Sequence, residues 1–218
     1  MTTNAHAFSR APTVYLIEDD ADLRESLAAL LDASGYLPRG FASAEAFLAE
    51  GANERPACVV VDLRLPGMSG LDLQQKLHGE QPHLPVIMVT GHGDVATARA
   101  ALRSGALDFL VKPVEPTELM DAVAAALESD AQALERARER GEMRERLGRL
   151  TPRELEVFHR ITDGLHNREI AVELGISPRT VEVHRARLMD KLNARRIADL
   201  FRLRLALDGD DAAAPVRG

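Results

Sequence analysis

The sequence predicts an α/β domain built on a doubly wound, five-stranded parallel sheet, followed by a smaller all-α domain. Three observations predict it. Short β-branched runs alternate with amphipathic helical patterns over residues 13–128, the order that gives a parallel sheet with helices on both faces. Two of these runs, ACVVV from Ala57 and VIMV from Val86, are apolar without alternation, as strands buried on both faces are. Residues 150–207 carry helical patterns and helix caps with no strand signal.

The strands are expected at Thr13–Ile17, Leu37–Phe41, Ala57–Val61, Val86–Val89 and Phe109–Val111, with helices starting near Asp22, Ser43, Gly70, Asp94 and Glu115. Asp20 suits either a cap of the first helix or an acidic pocket. Gly67 and Gly70 suit turn geometry after the third strand. Residues 129–149 are charged and helical in composition; they read as a linker helix extending the fifth, with Gly141 as a candidate break. A coiled-coil seam is the alternative reading, on poor heptads. At Thr151-Pro152-Arg153-Glu154 a capping box and a proline at the first helical position start a helix, and Ser177-Pro178 starts another. Gly175 marks a tight turn between two helices, the helix-turn-helix pattern. Residues 1–12 and 208–218 are expected to be disordered.

The formal net charge of −7 divides unevenly: residues 1–128 carry 9 basic and 18 acidic side chains, residues 150–207 carry 11 and 8. An acidic front and a basic back imply two modules with different partners. No apolar run is long enough to span a membrane, and the start lacks a signal-peptide pattern, so no membrane partner is expected. The single cysteine, Cys58, has no internal disulfide partner, which fits a cytoplasmic location. Zinc-ligand spacing is absent from the seven histidines and one cysteine.

The first strand runs into Glu18-Asp19-Asp20, the third ends at Asp62, the fourth at Thr90 and the fifth at Lys112. In an open α/β sheet these positions share the carboxyl edge, where ligands bind. Clustered carboxylates must bind a cation, pair with a lysine or protonate. Mg²⁺ suits such a cluster, since it takes one or two carboxylates together with phosphate oxygens. Asp62 is then placed to attack phosphorus as a nucleophile. Asp19, with Glu18 through water, would hold the metal, while the Thr90 hydroxyl and the Lys112 ammonium would take the remaining phosphoryl oxygens.

These marks, together with VVVDLRLPGMSGLDL around Asp62, VTGHGD at Thr90 and DFLVKP ending at Pro113, resemble the receiver family, whose fold is CheY-like (flavodoxin-like). The resemblance covers residues 13–125. It implies that Asp62 accepts a phosphoryl group from a sensor histidine kinase and that Arg64 offers a backbone carbonyl to the metal. It implies a cis Lys112–Pro113 bond, a switch pair of Thr90 and Phe109, and homodimerisation on phosphorylation through a face that includes Arg99 and Arg103. Such a protein acts as a switch rather than as an enzyme.

The segment LTPRELEVFHRITDGLHNREIAVELGISPRTVEVHRARLMDKL, from Leu150 to Leu192, is similar to the LuxR/FixJ-type helix-turn-helix. The recognition helix would run from about Pro178 to Leu192 and enter the major groove of promoter DNA. Glu182, Val183 and Ala186 would face bases. Arg179, Arg185, Arg187 and Lys191 would meet phosphate, and Ser177 and Thr180 at the helix start would hold a phosphate oxygen. RNA polymerase is the expected further partner.

Three other readings fit less well. A small-molecule enzyme on this sheet should carry a phosphate-cradling glycine loop after the first strand, where EDDADLRE stands instead. A ligand-sensing regulator should offer an apolar pocket, yet the chain has no Trp and 4% aromatic residues. A receiver acting without phosphorylation, as a constitutive or ligand-tuned regulator, would not need the complete acidic set.

Overall fold

The computed structural model describes residues 11–91, 102–103 and 105–208. Five strands, β1 (Thr13–Ile17), β2 (Leu37–Phe41), β3 (Ala57–Asp62), β4 (Val86–Thr90) and β5 (Asp108–Val111), form one parallel sheet in the order β2-β1-β3-β4-β5. Each lies within one residue of its expected bounds. The helices beside them are α1 (Ala21–Ala33), α2 (Ala44–Glu50), α3 (Gly70–Glu80) and α4 (Pro116–Gly148). The helix expected near Asp94, with Arg99 on it, lies outside the described residues.

Successive strand side chains point to opposite faces, and the apolar runs divide accordingly. Tyr15, Ile17, Val59, Val61, Val86 and Met88 pack with Phe47, Leu73 and Leu77 of α2 and α3. Val14, Leu16, Cys58, Val60, Ile87 and Val89 pack with Leu27, Leu31, Leu119, Val123 and Leu127 of α1 and α4. This two-sided burial is why the central strands lack alternation. Burial pushes the Cys58 thiol well above its usual range, and the Asp130 charge adds to this.

Local chemistry starts the helices. The Asp20 carboxylate accepts from the N–H groups of Asp22 and Leu23 at 3.0 and 3.1 Å, so it caps α1. Ser43 caps α2 and Ser69 caps α3. Gly67 has φ +83°, as a turn glycine does. Gly70 is required for a different reason: a Cβ there would lie 2.4 Å from the Asp62 carbonyl oxygen. The glycine is a point of close backbone approach, not a turn residue.

Two expectations at the margins are corrected. Pro12, expected to be disordered, is buried, and its carbonyl accepts from Leu37 N–H at 2.9 Å. Asp208, assigned to the tail, is the last residue of a helix. Gly141 does not break the linker: α4 is a single 33-residue helix. A glycine inside a helix costs about 1 kcal/mol relative to alanine, which neighbouring helix formers and Arg–Glu pairs at i,i+4 such as Arg138–Glu142 offset. No helix among the described residues is long and apolar enough to cross a membrane.

Contacts divide the chain between Glu135 and Arg136, inside α4. In the first unit the last buried residue of α4 is Asp130. Its Oδ2 accepts from Arg55 Nε at 2.8 Å and from Ala57 N–H at 2.8 Å, and its Oδ1 accepts from Arg55 Nη2. One wholly buried carboxylate thus joins α4 to the start of β3.

The second unit holds α5 (Pro152–Thr162), α6 (Asn167–Leu174), α7 (Pro178–Lys191) and α8 (Ile197–Asp208) around Val157, Phe158, Ile161, Ile170, Ala171, Val181, Leu188, Leu200 and Leu203. The capping box forms: Thr151 accepts from Glu154 N–H, and Glu154 Oε2 accepts from Thr151 N–H at 2.8 Å. Gly175 ends α6 in the left-handed conformation, φ +63°, and Ser177 caps α7. The buried Glu154 also binds Lys191 Nζ at 2.7 Å. Those hydrogen bonds, from Lys191 first and Thr151 second, hold its carboxyl at about 2, well below the ordinary 4.5.

Two outcomes follow from these ion pairs. Asp130→Ala leaves Arg55 and the Ala57 N–H without their shared partner. It should lower the first unit's stability by roughly 3 kcal/mol, measurable as a shifted urea midpoint for hydrogen exchange of β3 amides. Glu154 has a depressed folded-state pKa, so its stabilisation is present above about pH 4.5 and lost as pH falls towards 2. Glu154→Gln should lower the second unit's urea midpoint at pH 7 and flatten its loss between pH 4.5 and 2.

Candidate functional site

Sheet register brings the acidic residues together. Ile17 of β1 pairs with Val61 of β3, so Glu18 and Asp62 leave the sheet side by side. Asp62 pairs with Val89, and Thr90 with Val111, which sets Thr90 and Lys112 at the same edge. Arg24 of α1 donates from Nη1 to the carbonyls of Glu18 and Asp19 at 2.7 and 3.4 Å, fixing the backbone of the acidic pair.

Glu18 is 3% exposed and Asp62 7% exposed. Lys112 Nζ donates to Glu18 Oε2 at 2.7 Å and also to Asp62 Oδ2. Burial raises the Glu18 pKa above its ordinary value; the Lys112 hydrogen bond and charge oppose this, and the Asp62 charge reinforces it. For Lys112 burial pulls the pKa down, but the hydrogen bonds it donates to Asp62 and Glu18, with their negative charges, outweigh this, so the net shift is upward. The ammonium therefore stays charged. The Lys112–Pro113 bond is cis, as the receiver resemblance implies, and so is Arg55–Pro56, which the sequence reading did not anticipate.

Glu18, Asp19 and Asp62 each offer a carboxylate oxygen, all within 4.8 Å of one another. Octahedral Mg²⁺ binds oxygens at about 2.0–2.1 Å, which sets its ligands roughly 3–4 Å apart. The donor set is hard, anionic and within a small adjustment of that spacing, so it fits Mg²⁺. Arg64 donates its N–H to Asp62 Oδ1 at 2.8 Å, and its side chain is exposed. Thr90 is wholly buried at the end of β4, and Phe109 packs part-buried against the core. Of the expected dimer face, Arg103 is exposed and Arg99 falls outside the described residues.

In the second unit Val181 and Leu188 face the core, while Arg179, Glu182, Val183, Ala186 and Arg187 are exposed. Their spacing is i, i+3, i+4, i+7, i+8, one continuous face of α7. Val183 is 43% exposed, a bare apolar side chain among charged ones. Ser177 Oγ accepts from Thr180 N–H at 3.1 Å and hydrogen-bonds the Thr180 hydroxyl at 2.8 Å. Two of the expected cations have partners inside the unit: Arg185 reaches Asn167 Oδ1 at 3.4 Å, and Lys191 holds Glu154.

Sequence reasoning missed Arg24, the Arg55–Asp130 pair, the Lys191–Glu154 pair and Glu45. Glu45 Oε1 accepts from Met68 N–H at 2.8 Å in the loop after β3. Apart from Arg24, which reaches back to the residues just before its own helix, these are long-range pairings, and Asp130, Lys191 and Glu45 sit where the sequence reads as ordinary helix surface. The capping-box position of Glu154 was the single local signal among them.

Residues 14–124 match the family described as response regulator receiver domain, and residues 148–204 match bacterial regulatory proteins of the luxR family. The transcriptional regulatory protein FixJ of Azorhizobium caulinodans is 43% identical over 192 residues, 88% of this chain and 91% of that protein. The response regulator protein TodT of Pseudomonas putida is 36% identical over 198 residues, 91% of this chain and 87% of that protein. Among solved structures, the response regulator StyR has 38% sequence identity and a TM-score of 0.78, covering 88% of this chain and 98% of its own. Full-length FixJ of B. japonicum has 37% identity and a TM-score of 0.56, covering 92% and 99%. Matched by both family models and, over most of its length, by these relatives, the chain belongs to the response regulators that carry a receiver domain followed by a LuxR-type helix-turn-helix.

Proposed function

We propose that this chain accepts a phosphoryl group on Asp62 from a sensor histidine kinase and, in response, binds promoter DNA through α7 to regulate transcription. The observation that carries the reading is Lys112 bridging Glu18 and Asp62 at the carboxyl edge of the sheet, with Asp19 beside them.

Asp62 oxygen forms a bond to phosphorus while the bond from phosphorus to the donor's imidazole nitrogen breaks. The imidazole leaves with the electron pair. Lys112 neutralises oxygens of the incoming group, and the Thr90 hydroxyl hydrogen-bonds another. Asp19, Asp62 and the Arg64 carbonyl, with Glu18 through water, would hold Mg²⁺, which when bound would supply counter-charge to the phosphoryl oxygens. Thr90 then moves towards the phosphoryl group and Phe109 turns inward behind it. That change reshapes the face bearing Arg99 and Arg103, so two copies pair and present two helix-turn-helix units to a two-fold DNA site.

On DNA, the exposed face of α7 enters the major groove. Glu182 can accept from a cytosine amino group and Val183 can meet a thymine methyl, with Ala186 between them. Arg179 and Arg187 meet phosphates, with Arg185 at their side and the Ser177–Thr180 start of α7 beside a phosphate oxygen. Lys191, held by Glu154, contributes from the end of the helix. RNA polymerase, in the cytoplasm, is the partner that reads the bound state.

With acetyl phosphate and Mg²⁺ the chain should gain an acid-stable, hydroxylamine-labile label, and Asp62→Asn should gain none. Label surviving in Asp62→Asn would overturn the assignment. Arg187→Gln should reduce the salt dependence of binding to a random-sequence duplex by about 0.9 in log K against log salt, read by fluorescence anisotropy; an unchanged slope would remove Arg187 from the phosphate contacts.

A further inference from the structure

The loop between β3 and α3 starts at Asp62 and contains Arg64. Its base is closed from within: Gly70 N–H donates to the Leu63 carbonyl at 3.1 Å, and Arg64 N–H donates to the Asp62 side chain at Oδ1, 2.8 Å away. Its tip is held from outside. Glu45, in the first turn of α2, accepts from Met68 N–H through Oε1 at 2.8 Å. Gly67 beside it has φ +83°, and a Cβ there would fall 2.6 Å from that same Oε1. The glycine therefore makes the turn and also leaves room for the carboxylate to reach the next N–H. Ser43 caps α2 by accepting from Ala46 N–H at 3.2 Å, which fixes the turn from which Glu45 reaches out.

We propose that Glu45 is a positioning residue for the phosphoacceptor loop: its carboxylate holds the Gly67–Met68 tip, and with it the Arg64 carbonyl, ready to receive the divalent cation. This rests on the reading of the Asp62 pocket given above. A loop already held in place loses less conformational freedom when the metal binds, and groups that orient metal ligands from outside govern affinity in this way. A plainer role is available to Glu45, since an acidic side chain in the first turn of a helix favours that helix through its dipole. The two roles separate by substitution. Gln keeps an acceptor for Met68 N–H and loses the charge; Ala loses both.

The full chain, Glu45→Ala and Glu45→Gln are titrated with MgCl₂ while the rate of acetyl-phosphate labelling of Asp62 is followed. Glu45→Ala should raise the half-saturating Mg²⁺ concentration about tenfold and leave the rate at saturating Mg²⁺ little changed, while Glu45→Gln stays near the unsubstituted chain. Hydrogen exchange of residues 63–71 without metal should be faster in Glu45→Ala alone. Unchanged half-saturation in Glu45→Ala, or equal impairment of both variants, overturns the proposal while the Asp62 reading stands. Absence of label in the unsubstituted chain overturns both.

Discussion

Two carboxylates, Glu18 and Asp62, leave water at the same sheet edge, and one ammonium makes that possible. Each buried charge costs several kcal/mol unless it is paired and hydrogen-bonded. Lys112 serves both acids, and it comes from beyond β5, which is separated from β3 by β4. The charge balance closes only when β1, β3, β4 and β5 stand in register. The pocket is therefore a property of the assembled sheet and of no single motif. The same ammonium that settles the acids also supplies positive charge where the proposed phosphoryl group would arrive.

The helical unit solves a related problem with one carboxylate. Glu154 completes the cap of α5 and grips Lys191 at the far end of α7. The start of one helix is thereby tied to the last turn of another. Between those ends, Val181 and Leu188 press α7 onto the core, and its opposite face is left to solvent. The orientation of that face depends on a buried acid that lies nowhere on it.

Most of the sheet was legible because its signals are local. Valine-rich strands, Ser and Asp caps and the Thr151 box each announce themselves within a few residues, and the acids at strand ends lie where the topology must collect them. Most of the residues that escaped notice are those whose meaning depends on a distant partner. Asp130 sits among Glu and Arg residues on a helix and looks solvated, yet Arg55 and the Ala57 amide, over seventy residues earlier, draw it inside. Lys191 looks like one more cation on a basic helix until Glu154 claims it. Gly70 resembled a turn residue, and what demands glycine there is the Asp62 carbonyl, an atom that no pattern of side chains records.

Cys58 has a consequence of a different kind. It is the chain's sole thiol, it lies at the centre of the sheet, and burial keeps it protonated. The nucleophile towards alkylating reagents is the thiolate, so the closed sheet is chemically silent. Each opening that lets water reach β3 would expose a single reactive sulfur. Its alkylation rate is thus a stopwatch for sheet opening that requires no added probe and no engineered residue.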